Sequence, residues 1–196
     1  MLYRRHLLIA ALTLAAASPW AGAQMRIEGQ TFDAVARVAD TDLMLNGVGV
    51  RAVAWLKGYA AALYLPAKAS TPPEVLASTG AKRLQMRLLQ DVAAEEFVKA
   101  IDKGFARNTP ADQLPALAER KAIFDSQVQA VGKVKKGDVV NLDFVPGSGL
   151  VFSLNGKARG AAIPGDDLYA AVLRIFLGDK PVDARLKAGL LGGAVS

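Results

Sequence analysis

Apolar and polar residues alternate along Met25 to Phe32 and again along Ala34 to Ala39, a period of two that predicts half-buried strands. Asn46-Gly47 predicts a turn, after which Val48 to Leu65 runs as one long, largely apolar segment. Pro66, Pro72 and Pro73 end it, and Pro73 to Ser78 reads as a short helix. Lys82 to Leu89 returns to strand periodicity, with Leu84, Met86 and Leu88 on one face.

The period then lengthens. Phe97, Ile101 and Phe105 recur every four residues, which predicts core positions on a helix that Asp91 can cap. Thr109-Pro110 has the form of an N-cap followed by proline at the first helical position. It predicts a helix through Leu117, Phe124 and Val128 to about Ala130, with Pro115 early enough to be tolerated. Lys136-Gly137-Asp138 is a turn, and Val140, Leu142 and Phe144 alternate beyond it. Pro146 to Gly149 separates this strand from Leu150 to Leu154, which the hairpin dipeptide Asn155-Gly156 pairs with Lys157 to Ile163. Two helices follow, from about Asp167 to Leu177 with Gly178 as its stop, and from Val182 to Leu191. With no repeat and no linker, the pattern predicts one α+β domain.

The first 23 residues change what counts as the working chain. Arg4 and Arg5 precede a predominantly apolar run, Leu7 to Ala17, and Ala21-Gly22-Ala23 has the small-residue form of a cleavage site. The run is short for a membrane span. These features predict a signal peptide over residues 1–23, a domain over residues 24–196, and a periplasmic or secreted location. No further span of membrane length follows. The formal net charge is +6; without Arg4 and Arg5 the balance is 22 basic to 18 acidic residues. That mild excess lacks the arginine and aromatic interleaving of a nucleic-acid surface, so none is expected as a partner.

Chemistry is narrowed by what is missing. There is no cysteine, and the one histidine, His6, belongs to the expected signal peptide. After residue 23 there is therefore no imidazole base, no Ser-His-Asp triad and no His/Cys metal site, and no cofactor is expected. One charge remains conspicuous: Arg51, at the head of the long apolar segment. A guanidinium is costly to bury unpaired, so Arg51 meets either an internal carboxylate or an anionic ligand. The acid pairs Glu95-Glu96 and Asp166-Asp167 read as a solvated face and a helix start, and Lys133, Lys135 and Lys136 as an exposed loop.

The ordered motifs resemble those of the chalcone isomerase-like family in its bacterial, signal-bearing branch. They are Leu45-Asn46-Gly47-Val48-Gly49-Val50-Arg51, Lys57-Gly58-Tyr59 running into Ala61 to Leu65, Gly137-Asp138, Pro146 to Gly149, Asn155-Gly156-Lys157, and Phe176 to Asp183 with Leu186-Lys187 and Leu190-Leu191-Gly192. The resemblance implies a curved antiparallel sheet packed against a layer of helices, with an apolar cleft between them. It also implies three functional classes: enzymes that close a chalcone into a flavanone, fatty-acid binders, and members without known catalysis.

The resemblance assigns the cation of the plant enzymes to Arg51. Their other polar groups fall here on Tyr59, Ala94, Ile101 and Tyr169, and Lys82 to Phe105 contains neither tyrosine nor asparagine. The plant-type network is thus unmatched, and the expectation is a non-catalytic binder of a small apolar anion such as a fatty acid, with Arg51, Tyr59 and Tyr64 as ligand residues. The alternative is an isomerase or intramolecular lyase acting on a chalcone-like enone or phenolic, with Arg51 as electrophile and Tyr59 or Tyr169 as acid. Tyr59 and Tyr64 are equally open to reading as sheet aromatics. A third reading is an interaction module whose cleft is filled by its own side chains. Arg51 and Tyr59 share strand parity, but eight residues of straight strand span about 26 Å. They can serve one ligand only if the strand bends or reverses.

Overall fold

The computed structural model describes residues 24–53 and 56–193; the expected signal peptide lies outside them. The chain begins with β1 (Met25–Ile27) and β2 (Gln30–Phe32), then β3 (Val35–Val38), β4 (Thr41–Val53) and β5 (Leu56–Leu65). Helix α1 (Pro72–Ala77) leads to β6 (Lys82–Leu88) and β7 (Val92–Ala93), followed by α2 (Ala94–Asn108) and α3 (Leu114–Gln129). Then come β8 (Lys133–Val134), β9 (Val139–Val145), β10 (Gly149–Leu154), β11 (Lys157–Ala158), α4 (Asp166–Leu177) and α5 (Ala184–Leu190).

Seven strands form one antiparallel sheet in the order β11-β10-β9-β6-β5-β4-β3, strongly curled into a half-barrel with helices against it. This is the α+β architecture expected from the sequence, and several local readings change within it. Met25 to Phe32 is a hairpin rather than one strand, because Glu28 and Gly29 both take positive φ, 50° and 72°, and reverse the chain. Val48 to Leu65 is likewise two strands, β4 and β5. Asn46-Gly47 lies inside β4 at a register shift instead of making a turn.

The helix ends differ too. Ala93 precedes α2 without a side-chain cap, while the Asp91 carboxylate accepts from the Lys136 backbone N–H and pairs with Lys133 at 2.8 Å. Thr109 ends α2 rather than starting α3, and α3 begins at Leu114 with Pro115 in its first turn. By contrast α1 has a full capping box between Thr71 and Glu74, which satisfies donors at both ends of the exchange. The strand after Asn155-Gly156 is only two residues long, and Ile163 returns as a single bridge to Leu150.

Both faces of the sheet are covered. Along β5, Ala61, Leu63 and Leu65 pack with Leu84, Leu88 and Leu142 toward the helices. Ala60, Ala62 and Tyr64 pack on the other face with Phe32, Leu43 and Val48. Each large side chain buried here contributes roughly 1.5–3 kcal/mol of burial free energy. Helix α5 lies directly on β4, and glycine makes that approach possible. A Cβ on Gly47 would stand 2.1 Å from the Gly189 carbonyl oxygen, and one on Gly49 2.8 Å from that of Leu186. The Asn46 side chain completes the seam, donating to the Ala69 and Leu190 carbonyls and accepting from the Ala69 N–H.

Candidate functional site

The bulge at Asn46 decides which way Arg51 points. Leu43 and Leu45 face the non-helical side, and so do Val48 and Val50, so the side-chain parity flips between Leu45 and Gly47. Gly47, Gly49 and Arg51 are thereby turned toward the helices. Across the hairpin Arg51 stands directly opposite Tyr59, and a second shift between Arg51 and Ala52 leaves Gly58 as the extra residue. The chain reverses before Lys57, so the pair separated by eight residues becomes a cross-strand pair with adjoining side chains.

Arg51 and Tyr59 open onto a cavity of about 420 Å³ between sheet and helices. Its floor is Met86 of β6, Val140 and Leu142 of β9 and Phe152 of β10. The helices supply Phe97 and Ile101 from α2, Phe124 and Val128 from α3, and Val172 and Phe176 from α4. Val53 and Leu56, 61% and 46% exposed, bring the Arg51 end to solvent. The polar residues among the described lining are Arg51, Tyr59, Gln90, Asp91 and Glu96. The volume falls in the range usual for small-ligand sites, about 300–1,000 Å³, as does the mix of apolar walls and few polar groups.

Arg51 is half-buried, with 28% of its side chain exposed, and its Nη1 lies 3.7 Å from Asp183 Oδ2. That is an ion pair without a close hydrogen bond. Asp183 is already engaged: Oδ1 accepts from the Arg185 and Leu186 N–H groups as the N-cap of α5, and Oδ2 accepts from the Ala52 N–H at 3.2 Å. Among the described residues Arg51 itself donates once, to the Ala52 carbonyl. A guanidinium has five N–H donors, so the described residues leave most of its capacity beside the cavity. Both alternatives raised by the sequence therefore hold together: Arg51 has an internal counter-charge and still lines open volume.

The Tyr59 hydroxyl makes no hydrogen bond among the described residues. Burial among the apolar walls pushes its phenol well above the ordinary tyrosine value, the Arg51 charge offsets part of this, and Asp183 adds to it. At neutral pH Tyr59 is thus a protonated donor next to a cation. Asp91 is held below the usual carboxylate range by its bonds to Lys133 and the Lys136 N–H, so it stays charged but spent. Glu96 pairs with Lys99 at 2.7 Å.

Tyr64 and Tyr169 are placed elsewhere. Tyr64 is buried on the opposite face and donates to the Asp33 carbonyl at 3.1 Å; burial pushes its phenol up to about 12. Tyr169 is buried in α4, donates to the Leu142 carbonyl at 3.1 Å and stacks at a tilt on Phe144. Of the helical positions expected to be core, Phe105 is buried, whereas Phe97 and Ile101 are only partly buried and wall the cavity. Ala94, the other position matched to a plant polar group, is buried in the first turn of α2. Asp183 was missed. Its place just before an apolar-periodic helix is a readable capping signal, but its approach to Arg51 is not.

An antiparallel half-barrel with helices against it and an apolar cavity between defines the chalcone isomerase-like class of fold. The sequence model described as chalcone isomerase-like matches residues 24–192, and the chain belongs to that family. No curated protein matches it. Among solved structures it is similar to a fatty-acid binding protein of Arabidopsis thaliana, with a TM-score of 0.64 at 15% identity over 86% of this chain and 95% of that one. At that identity the likeness speaks for the fold alone.

Proposed function

We propose that this protein is a non-catalytic binder of a small apolar anion such as a fatty acid, acting in the periplasm or outside the cell once residues 1–23 are removed. The observation that carries the reading is that donors not satisfied by the described residues adjoin an apolar cavity. Arg51 and Tyr59 adjoin at one end of a cavity whose remaining walls are almost wholly hydrocarbon. A carboxylate at that end accepts from the guanidinium and the phenol, and the chain lies between the sheet and α2 to α4. The structural neighbour's own ligand class agrees with this reading. Among the described residues no helix is long and apolar enough to cross a membrane.

The test is a titration with saturated fatty acids by displacement of a fluorescent analogue, together with native mass spectrometry of protein recovered from its own compartment. Saturable binding that weakens in Arg51→Ala is expected. An empty protein with no saturable affinity overturns the reading.

One observation favours a second reading, an isomerase or intramolecular lyase acting on an enone or phenolic. A protonated phenol beside a guanidinium is a competent acid with an electrostatic partner for a developing enolate. Tyr59 serves better than Tyr169 in that role, because the Tyr169 hydroxyl is committed to Leu142. A turnover screen on chalcones and related enones, repeated with Arg51→Ala and Tyr59→Phe, separates the two readings.

A further inference from the structure

Lys82 occupies a register position that the sheet otherwise fills with hydrocarbon. It has the parity of Leu84, Met86 and Leu88 on β6, faces the helices, and is 5% exposed. It enters no ion pair among the described residues, and its one hydrogen bond is a long donation to the Gly80 carbonyl at 3.5 Å. Its Nζ sits 5.0 Å from the centre of the Phe144 ring, its cross-strand partner. An ammonium has three donors, so this one is poorly satisfied for its depth.

The space beside it is a second pocket of about 370 Å³. Phe144 of β9 and Pro146 just beyond it, Leu76 of α1 and Thr79 after it, and Asp166 and Tyr169 of α4 enclose it. It is separate from the cavity at Arg51: Tyr169 walls this pocket while its hydroxyl holds Leu142, which walls the other. Burial lowers the Lys82 ammonium from the ordinary lysine value, and the Asp166 charge works against that shift. A half-apolar pocket that already holds a carboxylate disfavours an anionic occupant and suits a neutral one.

We propose that Lys82 is the amine of a second site that condenses with small apolar aldehydes or ketones. The uncharged nitrogen adds to the carbonyl carbon, and one of its protons passes to the oxygen. The carbinolamine then loses that hydroxyl together with the second nitrogen proton as water, leaving a C=N bond to Nζ. Nothing is oxidised or reduced, and water reverses the step. A desolvated lysine over an aromatic ring supplies the nucleophile, and the apolar walls hold the carbonyl compound's chain.

The test treats the purified protein with hexanal and sodium cyanoborohydride, which traps the imine as a hexyl amine, and maps the adducts by peptide mass spectrometry. Lys103 and Lys136, both exposed, are the internal references. Lys82 is expected to be labelled ahead of both. Its lead should be greatest toward the low end of the range from pH 9 to 6.5, since burial lowers the Lys82 ammonium and keeps more of it as the free amine, and should vanish in concentrated urea. Labelling of Lys82 no faster than of Lys103 and Lys136, or a lead that survives unfolding, overturns the proposal. Lys82→Arg, which keeps the charge, should lose this adduct while the reference lysines keep theirs.

Discussion

Arg51 and Arg83 sit on the same sheet, and each meets an aspartate, but they differ in what is left over. Arg83 stands across the β6–β9 pairing from Asp143, with Nε and Nη2 donating to the two carboxylate oxygens at 2.7 and 2.6 Å. Only 17% and 10% of the two side chains are exposed, and the neighbouring Gln85, Asn141 and Ser153 bond one another. Arg51 reaches Asp183 at 3.7 Å, and that carboxylate is held by three backbone N–H groups. A charge in an apolar strand is therefore a weak sign of a site. Hydrogen-bonding capacity left over beside a cavity is a better one.

The largest expected effect breaks the closed pair. Asp143→Ala leaves the Arg83 guanidinium buried without its partner and should cost about 3–5 kcal/mol in chemical denaturation. A loss of under about 1 kcal/mol would mean that the bidentate pair is no more structural than an exposed one. Arg51→Ala should do the opposite. Stability should change by about 1 kcal/mol or less, while fatty-acid affinity falls roughly ten- to a hundredfold, the worth of a charge-assisted bond of about 1.5–3 kcal/mol. Comparable stability losses in the two variants would erase the distinction between the arginines.

The tyrosines give a pH version of the same contrast. The Tyr64 phenol is pushed up to about 12 in the folded chain by burial, with Asp33 adding to the rise and Arg87 and Arg83 opposing it. An unfolded tyrosine ionises near 10. The neutral phenol is the form the fold favours, so its contribution is complete below about pH 10 and is lost as pH rises through 12. Denaturation midpoints should fall over that window and fall less in Tyr64→Phe, which also loses the bond to the Asp33 carbonyl. An unchanged slope in the variant would place the alkaline loss elsewhere.

How much of this could be read from residues alone depends on whether the signal is local. The strand over Lys82 to Leu88, the Asn155-Gly156 turn and the helix before Gly178 were legible because side-chain period and turn chemistry lie within a few residues. Strand parity also puts Tyr59 and Tyr64, five positions apart, on opposite faces, although the sequence-based expectation places both at one ligand. The face of Arg51 was not legible, because the Asn46 bulge reverses the parity of β4 and leaves no mark in the apolar pattern. The β4–β5 reversal was hidden for a related reason: with both faces covered, the segment shows no alternation at its turn. Asp91 carries a plausible capping signal that Lys133 and Lys136, more than forty residues later, outcompete. The cavity itself is a tertiary property, and Phe97 and Ile101 look like core until the fold shows that they wall it.

The smallest expected effect is the sharpest test of the Arg51 arrangement. Asp183→Asn removes the negative charge facing Arg51, yet asparagine ranks with aspartate as an N-cap, so α5 should keep its start; the amide NH2 that replaces Oδ2 cannot accept from the Ala52 N–H, and that bond is lost. A ligand carboxylate competes with Asp183 for the guanidinium, and the variant ends that competition. Affinity for a fatty acid should rise a few-fold with a fall in stability of about 1 kcal/mol, the worth of one hydrogen bond, while a neutral apolar ligand such as the corresponding alcohol should bind as before. A fall in affinity would mean that Asp183 orients Arg51 toward the ligand. The ion pair would then be part of the anion seat, and Arg51 would resemble Arg83 more closely than its 3.7 Å separation suggests.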